Sequence, residues 1–246
     1  MKPIFAAEQI GKSFGTRTVL RTAGVWATPG RVTVLLGRNG AGKSTLIKIA
    51  IGQLRAEHGV IIYKDMRETR PQHATMARAG LYYLPERGVL SRWFSVRTHL
   101  AAVASMSRTP AIEHAVEACR LQEILDRPAS QLSGGERRRA ELGLVVARQP
   151  DCLLADEPLM DLSPQDRVLV VGILRNMARQ GVAILVTGHE VDVLLDLADD
   201  IVWMTAGTTH ALGSPDDARA HDQFKREYLG ARMLDRRPYT QKDERQ

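Results

Sequence analysis

A short glycine-rich segment, GRNGAGKS at residues 37–44, limits the fold more than any other part of this sequence. It follows RVTVLLG (31–37), a β-branched and apolar run that predicts a buried strand. It precedes STLIKIAIGQL (44–54), whose apolar residues have helical spacing. A strand that feeds a helix through a loop of the form G-x-x-x-x-G-K-[ST] is typical of a phosphate-binding loop. The segment therefore predicts an α/β fold with a phosphate site at one edge of its sheet.

The residue types in this loop suit the chemistry of a nucleoside triphosphate. Its glycines allow consecutive backbone N–H groups to turn toward a phosphate, and the following helix adds its positive end. Lys43 would reach the β- and γ-phosphates, and the Ser44 hydroxyl would ligate Mg²⁺. The alternative is a glycine-rich turn that matches the pattern by chance, which the flanking strand and helix disfavour. We expect ATP contacts from Gly37, Asn39, Gly40, Ala41, Gly42, Lys43, Ser44 and Thr45.

Two adjacent acids end a second apolar run, CLLADEP at 152–158. Burying a carboxylate without a partner is costly, so Asp156 and Glu157 need something to face. At the carboxyl end of a parallel strand, Asp156 would hold Mg²⁺ directly or through water. Glu157 would project toward the γ-phosphate and orient or deprotonate an attacking water. The alternative is a pair of solvated acids in a turn.

The remaining patterns predict an α/β sheet domain interrupted by a helical insert. Three further segments read as strands: GLYYLP (80–85) and VAILVTG (182–188) as buried ones, and DIVWMTAG (200–207) as a more exposed one. The stretch from about residue 92 to 149 is mostly helical in its spacing. The segment 231–246 is polar and charged, which is typical of a frayed tail.

A third motif, LSGGERRRAE (132–141), predicts a second anion site. Ser133, Gly134 and Gly135 would open a helix, so that their N–H groups and the hydroxyl are free to bind an anion. Three arginines follow in the first turns, where the helix dipole disfavours cations. We expect Arg137 to pair with Glu141 four residues on, across an exposed face.

Together, Gly37–Ser44, LSGGERRRAE, CLLADEP and VTGHE (186–190) resemble the motifs of the ATP-binding-cassette (ABC) ATPases, in that family's order and spacing across residues 4–230. The resemblance implies a P-loop NTPase (RecA-like) core with an N-terminal antiparallel β-subdomain and a helical subdomain insert. One ABC ATPase domain would span 1–230, with its core at about 1–85 and 150–230 and its insert at about 86–149. Two such cassettes, as a homodimer or heterodimer, would sandwich two ATP molecules head to tail.

The resemblance also implies roles for individual residues. Phe14 stands where the family has an aromatic that stacks on adenine; a core phenylalanine is the alternative. His189 matches the histidine that contacts the γ-phosphate and steadies the water, alongside Lys43 and Glu157 as catalytic groups. Glu86 replaces the usual glutamine that senses Mg²⁺; it would still ligate the metal or a water, and a surface turn residue is the alternative.

At a second departure, Ser163 replaces the usual aspartate that bridges protomers. Segments 83–96, 132–141 and 224–230 resemble the lipopolysaccharide-export cassette, whereas Glu86 and Ser163 resemble the branched-chain amino acid importer cassettes. Either relation implies integral-membrane permease subunits as partners. Trp93 would anchor a short helix of the permease, unless it belongs to the core of the helical insert.

Composition sets the remaining expectations. The formal net charge of +6 permits a polyanionic partner, so the alternative function is a soluble cassette ATPase acting on nucleic acid or ribosomes. Such relatives carry two cassettes or a long coiled coil, and this chain has neither, so we expect no nucleic-acid partner. Two cysteines and no long apolar run favour a cytoplasmic protein, peripheral on the cytoplasmic face of the inner membrane.

Overall fold

A computed structural model of the protein describes residues 1–107 and 111–230. Five of the ten strands in these residues follow the apolar runs of the sequence, and the connections between elements carry most of the residues with positive φ. The strands are β1 Phe5–Phe14, β2 Arg17–Ala27, β3 Val32–Gly37, β4 His58–Tyr63, β5 Met66–Glu68, β6 Leu81–Leu84, β7 Cys152–Ala155, β8 Ala183–Gly188, β9 Asp200–Thr205 and β10 Thr208–Gly213.

All these strands join one sheet, in the order β5-β4-β1-β2-β10-β9-β3-β8-β7-β6. From β9 to β6 neighbouring strands are parallel, and this half forms the P-loop core. From β5 to β2 neighbouring strands are antiparallel, as predicted for the N-terminal part. Strand β10 connects the halves, since it is antiparallel to β9 and meets β2 through one parallel pair, Thr208 with Thr22.

Helices cover both faces of the parallel half. The helices are α1 Lys43–Ala50, α2 His73–Arg78, α3 Val96–Ala104, α4 Ile112–Ala118, α5 Gly134–Arg148, α6 Pro164–Arg179, α7 Val191–Leu197, α8 Pro215–Ala220 and α9 Asp222–Phe224, which continues as a π-helix, Lys225–Leu229. Helices α3 to α5 and two 3₁₀ turns fill the chain between β6 and β7, where the helical insert is expected. The tail predicted at 231–246 lies outside the described residues.

Strand β3 shows how the sheet separates two apolar cores. Val32, Val34 and Leu36 pack with residues of α5, α6 and α7, whereas Leu35 packs with α1 and the antiparallel strands. Alternate side chains of a strand point to opposite faces, so a strand buried on both faces is apolar almost throughout. The end of β3, and with it the phosphate loop, is therefore fixed from both sides.

The expected exposure of residues 200–207 is wrong. Side chains from Ile201 to Met204 in β9 are buried, because this strand lies between β3 and β10 inside the sheet. It follows β8 in the sequence but pairs with β3 instead. Position in the sheet, which chain order does not give, decides the burial of this strand.

Candidate functional site

The phosphate loop runs from the end of β3 to the first residue of α1. Gly42 is the N-cap of α1 with φ +111°, and no side chain caps the helix there. A Cβ at this position would lie 2.7 Å from Leu20 Cδ2, so both the conformation and the space require glycine. The N–H groups at the start of α1 therefore have no side-chain acceptor and are available to an anion.

Lys43 is buried at the floor of the loop. Its Nζ donates a hydrogen bond to the Gly37 carbonyl at 2.8 Å and lies 3.5 Å from Glu157 Oε1. A buried ammonium group needs such partners, because burying a charge without them is costly. The two acceptors fix the direction of the ammonium group at the point where the loop turns.

Asp156 is joined to the loop by hydrogen bonds. Its Oδ1 accepts from Ser44 Oγ at 3.3 Å and from Thr187 Oγ1 at 2.5 Å. Asp156 follows β7 and Thr187 lies in β8, and these two parallel strands are neighbours in the sheet. The structure therefore brings Ser44 and Asp156 together as predicted. It also adds Thr187, which the sequence analysis did not select. Its position as a polar residue near the end of an apolar strand would have indicated it.

Glu157 occupies the centre of the site and is only 9% exposed. Its φ is +49°, a left-handed conformation uncommon for a residue with a side chain, and its N–H donates to Thr187 Oγ1 at 3.0 Å. Oε2 lies 2.9 Å from His189 Nδ1, while Oε1 faces Lys43. Glu157 therefore contacts both of the other groups predicted to be catalytic, Lys43 and His189.

These groups surround an open cavity of about 430 Å³. The predicted residues that line it come from the loop, from the β6–α3 connection and from the ends of β7 and β8. Gly37, Ala41 and Asp156 were predicted but do not line this cavity, whereas Arg17, Val19 and Met160 line it and were not predicted. The lining is formed by Arg17, Val19, Asn39, Gly40, Gly42, Lys43, Ser44, Thr45, Glu86, Glu157, Met160 and His189.

Comparison with known proteins identifies this arrangement. Residues 20–160, more than half of the chain, match the family model described as ABC transporter. The chain belongs to the ABC transporter ATP-binding family. It is the ATP-binding and ATP-hydrolysing subunit of a transporter, and such subunits partner with membrane permease components. The transport interpretation is thus confirmed over the alternative of a soluble cassette that acts on nucleic acid or ribosomes.

Curated relatives match along almost the whole cassette. The lipopolysaccharide export system ATP-binding protein LptB of Haemophilus influenzae is 30% identical over 92% of this chain and 97% of its own. LptB of Escherichia coli K12 is 30% identical over 91% of this chain and 96% of its own. A probable ABC transporter ATP-binding protein of Azorhizobium caulinodans is 31% identical over 92% of this chain and 82% of its own.

Solved structures confirm the fold of the cassette. An ATP-binding cassette of an ABC transporter in its ADP conformation superposes with a TM-score of 0.82, at 22% identity, over 94% of this chain and 100% of that one. Within residues 1–107 and 111–230, none of the helices has the length and apolar character required to cross a bilayer.

The second motif of the cassette begins α5. Ser133 is its N-cap, and a capping box joins Ser133 to Glu136 through hydrogen bonds of 3.2 and 2.8 Å. The hydrogen bond from the Ser133 N–H group, and next the one from the Arg127 guanidinium at 2.7 Å, lower the pKa of the Glu136 carboxyl. A Cβ on Gly134 would meet no atom within 4 Å, whereas one on Gly135 would lie 2.2 Å from Asp166 Oδ2. These residues do not line the Lys43 cavity, and Gly134 faces open space.

The predicted pair of Arg137 with Glu141 is wrong. Arg138, not Arg137, pairs with Glu141, at 3.0 Å, and both side chains are buried. Arg138 also donates to the carbonyls of Pro85 and Glu86, at 3.2 and 2.8 Å. Residues three apart share a helix face, and here this face points into the protein rather than to solvent. Burial lowers the pKa of Arg138 and raises that of Glu141.

Phe14 and Trp93 are too exposed to be core residues, which was the alternative interpretation of each. Phe14 ends β1 with 48% of its surface exposed, and Lys12 Nζ lies 5.1 Å from its ring centroid. Trp93 is 76% exposed, and the Arg92 guanidinium lies 4.7 Å from its ring. Neither side chain belongs to an apolar core, and both are accessible to a partner.

The two departures from the family pattern have different surroundings. Glu86 lines the Lys43 cavity, and its carboxylate lies 3.8 Å from the Arg87 guanidinium. Ser163 is the N-cap of α6: its hydroxyl accepts from Asp166 N–H at 3.1 Å and donates to the Asp166 carboxylate at 2.8 Å. The serine therefore has a local structural role that aspartate would fulfil only in part.

Proposed function

We propose that this cassette hydrolyses ATP with a water that Glu157 activates and His189 steadies. The observation that carries the proposal is the position of Glu157, whose carboxylate lies between Lys43 and His189 beside the cavity. A general base must lie within hydrogen-bond reach of the water that it deprotonates, and an open cavity in front of the carboxylate allows this. The loop N–H groups and Lys43 would bind the phosphates, and Phe14 would stack on adenine.

The residues at the loop suit Mg²⁺. Ser44 Oγ and Asp156 Oδ1 lie 3.3 Å apart, and hydroxyl and carboxylate oxygens are the ligands that this ion prefers. In proteins that bind nucleotides, Mg²⁺ usually takes one or two protein ligands and completes its coordination with phosphate oxygens and water. We assign Ser44 and Asp156 as direct or water-mediated ligands, with Glu86 as a third. Bound there, Mg²⁺ would neutralise charge on the phosphates.

The working unit would be a head-to-tail dimer of cassettes, each with residues 1–230 as one ATPase domain. Ser133, Gly134 and Gly135 do not line the Lys43 cavity of their own protomer, while Gly134 faces open space. The capping box uses the Ser133 hydroxyl and N–H group, so anion binding at this helix start would rest mainly on the N–H groups of Gly134 and Gly135, which would complete the ATP site of the partner cassette. A homodimer and a heterodimer both satisfy this arrangement.

The permease would dock beside Trp93, at the cytoplasmic face of the inner membrane, with the cassette in the cytoplasm as a peripheral subunit. A cavity of about 630 Å³ separates α2 and β6 from α3, and Tyr82, Tyr83 and Met106 line it. Most of its lining is apolar, which suits a short amphipathic helix, whereas Trp93 does not line this cavity and would be a separate exposed anchor. The curated relatives support lipopolysaccharide export as the transport process, whereas Glu86 and Ser163 favour branched-chain amino acid uptake as the second candidate.

Purification of the cassette from its native membrane tests this function. We expect a multi-spanning permease to co-purify, and reconstitution with it should stimulate ATP hydrolysis. Lys43→Ala in the same complex should abolish the stimulation. ATPase activity stimulated by DNA or ribosomes, and not by any permease, would contradict the proposal. The identity of the permease would decide between the two transport processes.

A further inference from the structure

The phosphate loop is held by a segment far away in the sequence. The N–H group of Gly37 donates a hydrogen bond to Tyr228 Oη at 3.2 Å. The guanidinium of the next residue, Arg38, donates to the carbonyl oxygen of Glu227 at 2.6 Å. Residues 224–228, which we call the C-terminal strap, therefore contact two consecutive residues at the start of the loop.

The strap is anchored independently of the loop. Phe224 is fully buried and packs edge-on against Trp203, with ring centroids 5.6 Å apart. The Tyr228 ring stacks on Phe224 at 5.3 Å. Trp203 lies in β9, where it pairs with Leu36 of β3, the residue just before Gly37. The aromatic contacts therefore hold the Tyr228 hydroxyl at a fixed place beside the end of β3.

The two contacts flank the carbonyl group that orients Lys43. Gly37 N–H lies on one side of this carbonyl in the chain and the Arg38 side chain on the other, and the carbonyl oxygen itself accepts from Lys43 Nζ at 2.8 Å. Gly37 already pairs with Met204 at the end of β3, and these two contacts restrict the conformational freedom that a glycine keeps there. Fixing both neighbours of the carbonyl also fixes the direction in which Lys43 is held.

We propose that Tyr228 is a positioning residue for Lys43, which it holds through Gly37 in the direction needed to bind the β- and γ-phosphates of ATP. This inference rests on the proposed role of Lys43 in the site. Burial raises the pKa of Tyr228 to about 12, so the hydroxyl is neutral at pH 7 and accepts the Gly37 N–H group. A purely structural role would need only the ring, which already stacks on Phe224.

Removal of the hydroxyl alone separates these two roles. Tyr228→Phe keeps the stacked ring, and we expect ATP to bind about 2- to 10-fold more weakly, as the loss of one hydrogen bond gives. The KM for ATP should rise by the same factor, while kcat stays within about twofold. Tyr63→Phe is the matched control, because its hydroxyl bonds a backbone oxygen, that of Ala79, away from the loop. The control should lose stability without any change in ATP affinity.

A double-mutant cycle tests the route through Lys43. If Tyr228 acts through the lysine, Tyr228→Phe should have little further effect on ATP binding in a Lys43→Ala background. Additive losses, or ATP affinity in Tyr228→Phe equal to that of the parent, would overturn the inference. If Lys43→Ala itself leaves ATP binding unchanged, the proposed role of Lys43 fails instead, so the two failures are distinguishable.

A measurement on the unmodified chain covers the case in which Tyr228→Phe does not fold. Binding linkage is reciprocal, so ATP should stabilise the strap if the strap stabilises the ATP site. We expect ATP to slow amide hydrogen exchange in residues 225–229 by several-fold, compared with a segment such as α6. Equal exchange of the strap with and without ATP would contradict the proposal.

Discussion

His189 Nδ1 lies 2.9 Å from Glu157 Oε2, a contact that joins the ends of two adjacent parallel strands. The other oxygen of the same carboxylate faces Lys43. One carboxylate therefore contacts the lysine of the phosphate loop and the histidine at the far side of the cavity.

Replacement of Glu157 with glutamine should separate ATP binding from hydrolysis. The amide keeps the size of the side chain but is not a base, so we expect hydrolysis to fall by about 100-fold or more while ATP still binds. Because ATP would persist in the site, the variant should also accumulate as a dimer. Phosphate release and size-exclusion chromatography with ATP measure these effects.

Glu123→Gln is the control for this variant, because Glu123 is an exposed acid in the 3₁₀ turn Gln122–Ile124, outside the lining of the cavity. It should hydrolyse ATP at the parental rate. Parental activity in Glu157→Gln would show that another group activates the water.

Replacement of Glu86 with glutamine should change coupling to the permease. Glu86 lines the cavity, and its carboxylate adds negative charge beside the triphosphate, whereas an amide keeps an oxygen for the metal or its water without that charge. We expect ATP to bind up to about tenfold more tightly, and permease-stimulated hydrolysis to change more than basal hydrolysis. Equal changes in the two rates would argue against a coupling role. Arg138 should keep its bond to the backbone carbonyl at position 86 in the variant.

Ser163→Ala should destabilise the cassette by about 1 kcal/mol, the usual cost of losing an N-cap. Ser163→Asp should retain the cap but bring a second negative charge to Asp166, to which the serine hydroxyl donates. We therefore expect its stability to lie between that of the alanine variant and that of the parent. Urea unfolding measures both, and a loss equal to that of Ser163→Ala would mean that aspartate does not cap this helix.

Arg138→Met should destabilise the fold by about 3–5 kcal/mol, because it leaves the Glu141 carboxylate buried without its cation. Arg137→Met is the matched control on the same helix: Arg137 donates one hydrogen bond to a backbone carbonyl, so its loss should cost about 1 kcal/mol.

The double variant Arg138→Met with Glu141→Leu should recover much of the loss caused by Arg138→Met alone, because no charge stays buried at this place. Urea unfolding of the three variants checks this expectation. Equal losses in the single and double variants would show that the hydrogen bonds to residues 85 and 86, rather than the ion pair, make the contribution.

The sequence predicted local structure, meaning single loops, helices and strands, better than contacts between distant residues. The phosphate loop, the helix after it and the strand before it follow from residue types within about 20 positions, and the structure has them at Val32–Gly37 and Lys43–Ala50. The parallel core, the antiparallel N-terminal strands and the helical insert came from patterns and from the family resemblance, and they are confirmed. The exposure assigned to residues 200–207 was wrong because burial there depends on neighbours from other strands.

The sequence patterns did not predict which residues of different helices and strands contact one another. Arg137 was chosen over Arg138 because helical spacing alone does not show which face of α5 turns inward. Thr187 was missed because its partner Asp156 lies 31 positions away and becomes a neighbour only when β7 and β8 pair. Tyr228 was missed for the same reason, since 191 positions separate it from Gly37.

By itself, therefore, the sequence determined the chemistry: glycines with a lysine for phosphate, paired acids after an apolar strand, and a serine–glycine motif at a helix start. Only the tertiary structure decided which of these groups touch one another. Local propensity and spacing depend on residues close in the chain, whereas strand order and helix packing bring together groups that are far apart in it. The contacts of Glu157 with Lys43 and His189, and of Tyr228 with Gly37, exist only in the folded sheet.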